Sequence, residues 1–192
     1  MTDLMISLCA PAELAQVVAL VNAAYRGQDG RSGWTSEIGL VDGVRITLAA
    51  LRTELAAAQD ARIFVLREAG ELLACVRLDS SASAQVQMAC QIGMLAVRPQ
   101  AQDRGLGRIM LQHAELEGRS RGARLARMMV VSIREDLIAW YERRGYRRTG
   151  EIEPFPYRDA PFGHPQRPDL EFAVLEKALI AGSDPQGHGD AA

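Results

Sequence analysis

LAVRPQAQDRGLGRIMLQHA, Leu95 to Ala114, passes from an apolar strand pattern through a proline and a polar, glycine-bearing turn into a helix. Leu106, Ile109, Met110 and His113 recur at helical spacing, which places the helix start near Leu106. Such a helix presents unpaired N–H groups, and the positive end of its dipole, from the turn Gln102, Asp103, Arg104, Gly105, Leu106, Gly107. Gly105 and Gly107 allow backbone conformations, and a close approach by a ligand, that a Cβ would obstruct. Arg104 and Arg108 add full charges. The turn is a candidate phosphate site, and a plain tight turn is the competing reading. Two nucleotide motifs are excluded. No Lys-Ser or Lys-Thr follows either glycine, as a P-loop requires. Met110 stands where the dinucleotide fingerprint needs glycine or alanine.

Working outward, QVQMACQIGMLAV before the turn reads as a strand. RIFVLREAG and ELLACVRLD further back read as a β-hairpin. Met5 to Leu8 is a short strand, and Pro11 suits the first turn of a helix whose Leu14, Val17, Val18 and Val21 share a face. RGQDGRSGWTSE is a loop, and a second helix follows Thr47 as N-cap. After the phosphate turn, LARMMVVSI is a continuous apolar run of the kind a strand buried on both faces shows. Ser132 and Glu135 spell a capping box for a helix that Gly145 ends. YRRTGEIEPF and LEFAVLEKAL read as two last strands around the proline-rich loop PFPYRDAPFGHPQRPD. The pattern is one α/β or α+β domain over about residues 1–180, with residues 181–192 a tail that has nothing to bury.

With 192 residues, 48% hydrophobic and 24% charged, the chain suits one packed domain and is short for two. A net charge of −2 argues against a dedicated nucleic-acid partner. No run reaches the roughly 18 apolar residues of a membrane span, and MTDLMISLCAPAEL lacks the basic and apolar regions of a signal peptide. A cytoplasmic protein with no membrane partner is expected. Cys9, Cys75 and Cys90 suit reduced core thiols, and His113, His164 and His188 lack metal-ligand spacing, so no metal is expected.

The Q-x-x-G-x-G turn, preceded by L-A-V-x-P and followed by an amphipathic helix, closely resembles the acyl-CoA-binding motif of the GNAT superfamily of N-acyltransferases. WYERRGY, Trp140 to Tyr146, is similar to that family's second signature, and the order of elements agrees along nearly the whole chain. The resemblance implies a mixed, mostly antiparallel twisted sheet of about seven strands with about four helices, splayed between strands 4 and 5. It implies acetyl transfer from acetyl-CoA to an amine by direct attack. The coenzyme A diphosphate would lie on the N–H groups of Gln102–Gly107, flanked by Arg108. The pantetheine arm would bond the backbone of Leu95, Ala96 and Val97, filling the gap toward the strand that ends near Ser132.

Within that resemblance Tyr141 is the general acid toward the departing sulfur; outside it, Tyr141 is one more core aromatic. A backbone N–H at a β-bulge near Leu95 or Ala96 would meet the oxyanion. Many relatives place a carboxylate where this chain has Gln91, an amide that takes no proton. Either water relays the proton elsewhere or Glu37 is the base. Arg134 replaces an asparagine common among relatives. Arg119, Arg121, Arg124 and Arg127 form a basic cluster, read as solvated charge, with the cofactor's 3′-phosphate or RNA as alternatives. Tyr25, Arg26, Trp34, Thr35 and Glu37 are expected on one side of the acceptor pocket, with Phe155, Tyr157 and Phe162 on the other. The expected acceptor is a small-molecule amine. An acyl-CoA-binding or sensing module and a protein N-terminal or lysine acetyltransferase are the alternatives. Family members are often dimers, so a homodimer stays open.

Overall fold

The computed structural model describes residues 3–27, 33–58, 60–80, 88–157 and 163–179. In chain order come β1 (Leu4–Leu8), a 3-10 turn (Pro11–Glu13), α1 (Leu14–Arg26), β2 (Val41–Asp42) and α2 (Leu48–Ala57). Then follow β3 (Arg62–Glu68), β4 (Glu71–Ser80), β5 (Ala89–Val97), α3 (Leu106–Ser120), β6 (Leu125–Val131) and α4 (Glu135–Glu142). β7 (Arg147–Pro154), β8 (His164–Pro165) and β9 (Glu171–Ala178) complete the described chain. The expected tail 181–192, Phe162 and the strand residues Gln85 to Gln87 lie outside the described residues.

Alternation along β3 shows why helices cover both faces. Phe64 and Leu66 enter a core shared with Leu106, Met110, Ile138 and Tyr146, on the α3 and α4 side. Ile63 and Val65 enter a second core with Val17, Val21 and Leu51, on the α1 and α2 side. Successive strand side chains point to opposite faces, so one apolar run feeds two layers. Truncating a fully buried side chain such as Leu66 or Met110 to alanine costs about 2–5 kcal/mol, a large share of a typical domain's total of about 5–15.

The sheet order is β1-β3-β4-β5-β6-β9-β7, antiparallel throughout except for the β5–β6 pair. Seven strands and four helices bear out the expected fold. The β3–β4 hairpin turns on Ala69 and Gly70, both at positive φ, which matches the strand twist. Thr47 caps α2 as expected, its hydroxyl accepting from the Ala50 N–H at 3.1 Å. Gly118 lets α3 lie close on β5, since a Cβ there would stand 2.5 Å from the Cys90 sulfur.

Three details depart from the sequence reading. β6 is not buried on both faces: Met129 is 51% exposed, because the strand faces open space beyond its paired half. Ser132 does not cap α4. Arg134 is the N-cap and makes no side-chain cap bond; its guanidinium is turned instead to Asp136 and to the loop that carries Trp34. The proline-rich loop also contributes β8, which pairs with β2 in a small second sheet.

Candidate active site

β5 and β6 pair only through Ala89↔Leu125, Cys90↔Ala126 and Gln91↔Arg127. Beyond Gln91 the two strands part, and β5 is bonded on its β4 side alone. There Cys75 faces Ala96 and Arg77 faces Gly93, so Val76 stands opposite both Met94 and Leu95. This is a β-bulge, with Met94 at φ +52°. It falls where the sequence reading expected one. The Arg98 N–H bonds the Leu73 carbonyl on the β4 side. By alternation the N–H and C=O groups of Leu95 and Val97 point into the gap. The Leu95 carbonyl accepts the Tyr25 hydroxyl at 3.3 Å, and the Val97 carbonyl accepts Gln102 Nε2 at 3.3 Å.

A cavity of about 240 Å³ lies at the splay. Arg77, Asp79, Gln91, Gly93 and Met129 line it from the sheet; Asp79 and Gln91 are cross-strand partners. Tyr25, Thr35, Glu37, Arg45 and Glu54 line it from the α1–α2 side, and Tyr141 reaches it from α4. Burial pushes the Tyr141 phenol well above its usual value, and the nearby Tyr25 adds to the effect. The phenol therefore stays protonated at any ordinary pH. Burial likewise raises the Tyr25 phenol and pushes the Cys75 thiol up to about 12.

The charges in the cavity are matched. Arg77 pairs with Glu54 and with Asp79, the latter at 2.8 Å. Glu37 pairs with Arg26 at 2.5 Å, and its N–H bonds the Tyr25 carbonyl at 2.8 Å, tying the loop to the end of α1. Thr35 is buried, its hydroxyl 3.4 Å from the Ala24 carbonyl. Arg77, Asp79 and Glu54 were not anticipated. The available signal was a pair of charges at alternate positions of an otherwise apolar strand.

The turn before α3 has Asp103 at φ +63° and Gly105 at φ +75°. No side chain caps α3, so its first N–H groups face outward from a glycine. Arg104 is drawn aside to Glu68 at 2.7 Å, leaving Arg108 nearer the groove behind the turn. Trp34 does not line the cavity. Its indole lies against the first turn of α3, where a Cβ on Gly107 would stand 2.9 Å from a ring carbon, and stacks on Trp140 at 4.4 Å. Gln102 Oε1 accepts the Trp34 N–H at 3.1 Å, and Arg134 donates to the Trp34 carbonyl at 2.6 Å and to the Ser36 carbonyl. Gly33 and Gly107 together give the loop room to lie on the turn.

Other expected residues sit apart. The Ser132 N–H bonds the Glu171 carbonyl at 2.9 Å. Phe155 packs with Val41, Val131 and Leu170 beside the small sheet, and the Tyr157 hydroxyl accepts the Leu170 N–H at 2.6 Å. Arg119 and Arg121 lie at the far end of α3, roughly 20 Å from its start at 1.5 Å per residue. Arg127 pairs with Glu151 and with Glu176. No group of three or more His, Cys, Asp or Glu among the described residues could hold a metal ion, and no helix among them is long and apolar enough to cross a membrane.

Residues 59–148 match the acetyltransferase (GNAT) domain family. Among solved structures, an N-acetyltransferase from Staphylococcus aureus Mu50 aligns with a TM-score of 0.66 at 18% identity, covering 93% of this chain and 100% of that one. The ribosomal-protein-S18-alanine N-acetyltransferase of Escherichia coli aligns at 0.65 and 16% identity, covering 96% and 100%. The yncA protein of Salmonella typhimurium, whose structure contains its cofactor acetyl-CoA, aligns at 0.65 and 17%, covering 96% and 99%. At these identities the structures share the fold. No curated protein matches the sequence at a significant level.

Proposed function

We infer, for a chain that carries a GNAT-family acetyltransferase domain and is accordingly an acetyl-CoA-dependent acetyltransferase, that the acceptor is the primary amine of a small molecule. The observation that carries this reading is one cavity, at the splay, shared by a buried phenol and three carboxylates. Its volume of about 240 Å³ falls below the roughly 300–1,000 Å³ of drug-sized ligand sites, and Thr35, Glu37 and Ile46 are among the residues that line it. That favours a compact amine over a peptide segment.

The residues present fit the coenzyme. The edge of Leu95 and Val97, which pairs with no strand, offers backbone groups to an extended arm, and the uncapped N–H groups after Gly105 suit a diphosphate. Bound acetyl-CoA supplies an activated acetyl thioester. The rest is done by the chain. An alkyl amine near pKa 10.4 is only about 0.04% neutral at pH 7, so a proton acceptor is needed. Gln91 cannot serve, and Glu37 is the proposed base, reaching the ammonium directly or through water. The bulged backbone near Leu95 offers an N–H to the developing oxyanion. Tyr141 gives its proton to the departing sulfur. Cys75 and Cys90, pushed by burial to about 12 and about 11, are poor nucleophiles, which supports direct attack over an acyl-cysteine route.

The test is calorimetric titration of acetyl-CoA followed by an amine panel read by thiol release. Binding with turnover of small amines is expected. Binding without turnover of any amine supports the acyl-CoA-binding module that the amide at Gln91 otherwise favours, and turnover of peptides alone overturns the small-acceptor reading. Glu37→Gln is expected to flatten the acidic limb of the pH–rate profile; an unaltered limb removes Glu37 as the base.

A further inference from the structure

Arg134 stands at the N-cap of α4, and the helix does not account for it. An arginine offers no acceptor to the free N–H groups of a first turn, and its charge sits at the wrong end of the helix dipole. Its side chain is only 14% exposed and lines the cavity at the splay together with Glu37 and Tyr141. The contacts that account for it lead away from α4. Nη1 donates to the Ser36 carbonyl, and Nη2 to the Trp34 carbonyl at 2.6 Å. Nε and Nη2 also donate to the two Asp136 oxygens, at 3.0 and 2.9 Å, so the guanidinium is held along its Nε edge while it reaches the loop.

The stretch of loop that it meets leads straight into Glu37. The N–H groups there are already placed: Gln102 takes that of Trp34, the Gly33 carbonyl takes that of Ser36 at 2.9 Å, and the Tyr25 carbonyl takes that of Glu37 at 2.8 Å. Arg134 secures the carbonyls of Trp34 and Ser36, the second of them one residue before Glu37. A planar guanidinium fork can span two carbonyls and a carboxylate at once, which an ammonium or an amide cannot do in that geometry. At its other end this strut begins the helix that carries Tyr141, seven positions on, two turns later and on the same face.

We propose that Arg134 is a positioning residue, which braces the loop 33–37 against the start of α4 and thereby sets the Glu37 carboxylate relative to the Tyr141 hydroxyl across the cavity. This rests on the reading of Glu37 as base and Tyr141 as acid. It gives the position where relatives often carry a cofactor-contacting asparagine a different task, on the acceptor side.

The experiment takes Arg134→Gln through three measurements: hydrogen exchange of the amides of residues 34–41, calorimetric titration of acetyl-CoA, and thiol release with the amines that the wild-type chain acetylates. Exchange in 34–41 is expected to quicken while that of β3 and β4 stays as it was, and acetyl-CoA affinity is expected to hold. For the amine, kcat/KM is expected to fall roughly 10–100-fold, the cost of a displaced reacting group, with the acidic limb of the pH profile flattened. Adding Glu37→Gln to Arg134→Gln is then expected to cost little more, because residues that act as a unit are not additive. Arg134→Lys is expected to recover part of the rate. Asp136→Asn, at an exposed side chain, loosens the guanidinium without removing it and is expected to show the same changes at smaller size, which keeps the inference testable if Arg134→Gln does not fold.

Unchanged exchange in 34–41 overturns the brace, and quickened exchange with unchanged kcat/KM overturns its bearing on Glu37. Weakened acetyl-CoA binding with amine kinetics intact overturns it in favour of a cofactor contact. In those three cases an acidic limb still lost in Glu37→Gln leaves the reading of Glu37 standing. An unaltered limb in Glu37→Gln, or no turnover of any amine by the wild-type chain, overturns that reading and this inference together.

Discussion

The two faces of the sheet treat arginine in opposite ways. On the α1–α2 face Arg77 is clasped by Glu54 and Asp79, and Arg26 by Glu37, so the cavity is close to neutral before any ligand arrives. On the α3–α4 face Arg108, Arg143 and Arg144 gather around a carboxylate already spent on Lys177. A matched site suits a small acceptor that must enter, react and leave. An unmatched cationic groove suits a ligand that carries several negative charges. β5 joins the faces: paired up to Gln91, free beyond it, it is where a donor from one side and an acceptor from the other can meet.

That contrast can be attacked at either face. Tyr141→Phe removes the proposed proton donor where the faces meet; turnover should fall by roughly 10²–10⁴-fold with acetyl-CoA affinity retained, and an unchanged rate would strip Tyr141 of that role. Gly105→Val acts on the turn before α3 alone. A β-branched residue at φ +75° carries about 1–3 kcal/mol of strain, so acetyl-CoA affinity should fall between roughly fivefold and a hundredfold in a chain that still folds by circular dichroism. Arg77→Met tests the matched face, leaving Glu54 and Asp79 without their shared cation. Because both are partly solvated, the expected loss is about 1–2 kcal/mol in denaturant melts at neutral pH, smaller at pH 4.

The smallest effect is a titration. Burial raises the Cys75 thiol from 9.0 to about 12 in the folded chain. Its contribution is therefore complete below pH 9 and is lost as pH rises toward 12, since the unfolded chain sheds the proton first. Thermal midpoints should decline across that window, less steeply for Cys75→Ala.

The sequence carried the fold well because its signals are local. Thr47 caps where it should, and the alternation through Phe64 and Val65 predicts strands directly. The turn before α3 was legible for the same reason, being a strand end, two glycines and a helix start. Contacts between distant segments were not. Ser132 and Glu135 have capping-box spacing, yet Arg134 is engaged by a loop that lies 98 to 100 positions earlier in the chain. Trp34 was expected in the acceptor wall and lies on Gly107, because Gly33 and Gln102 draw the loop there. Arg108 and Arg143 are brought to one groove only by helix packing, which no spacing rule encodes.

The indole stack has one more consequence. The chain contains two tryptophans, and they are stacked with centroids 4.4 Å apart and planes 29° from parallel. Rings that close share their electronic excitation, so the pair should give a paired positive and negative band in far-ultraviolet circular dichroism. Trp34 reports the loop and Trp140 reports α4. The protein therefore carries an unlabelled optical gauge of whether that loop is seated, legible in the absence of turnover and erased by Trp34→Phe.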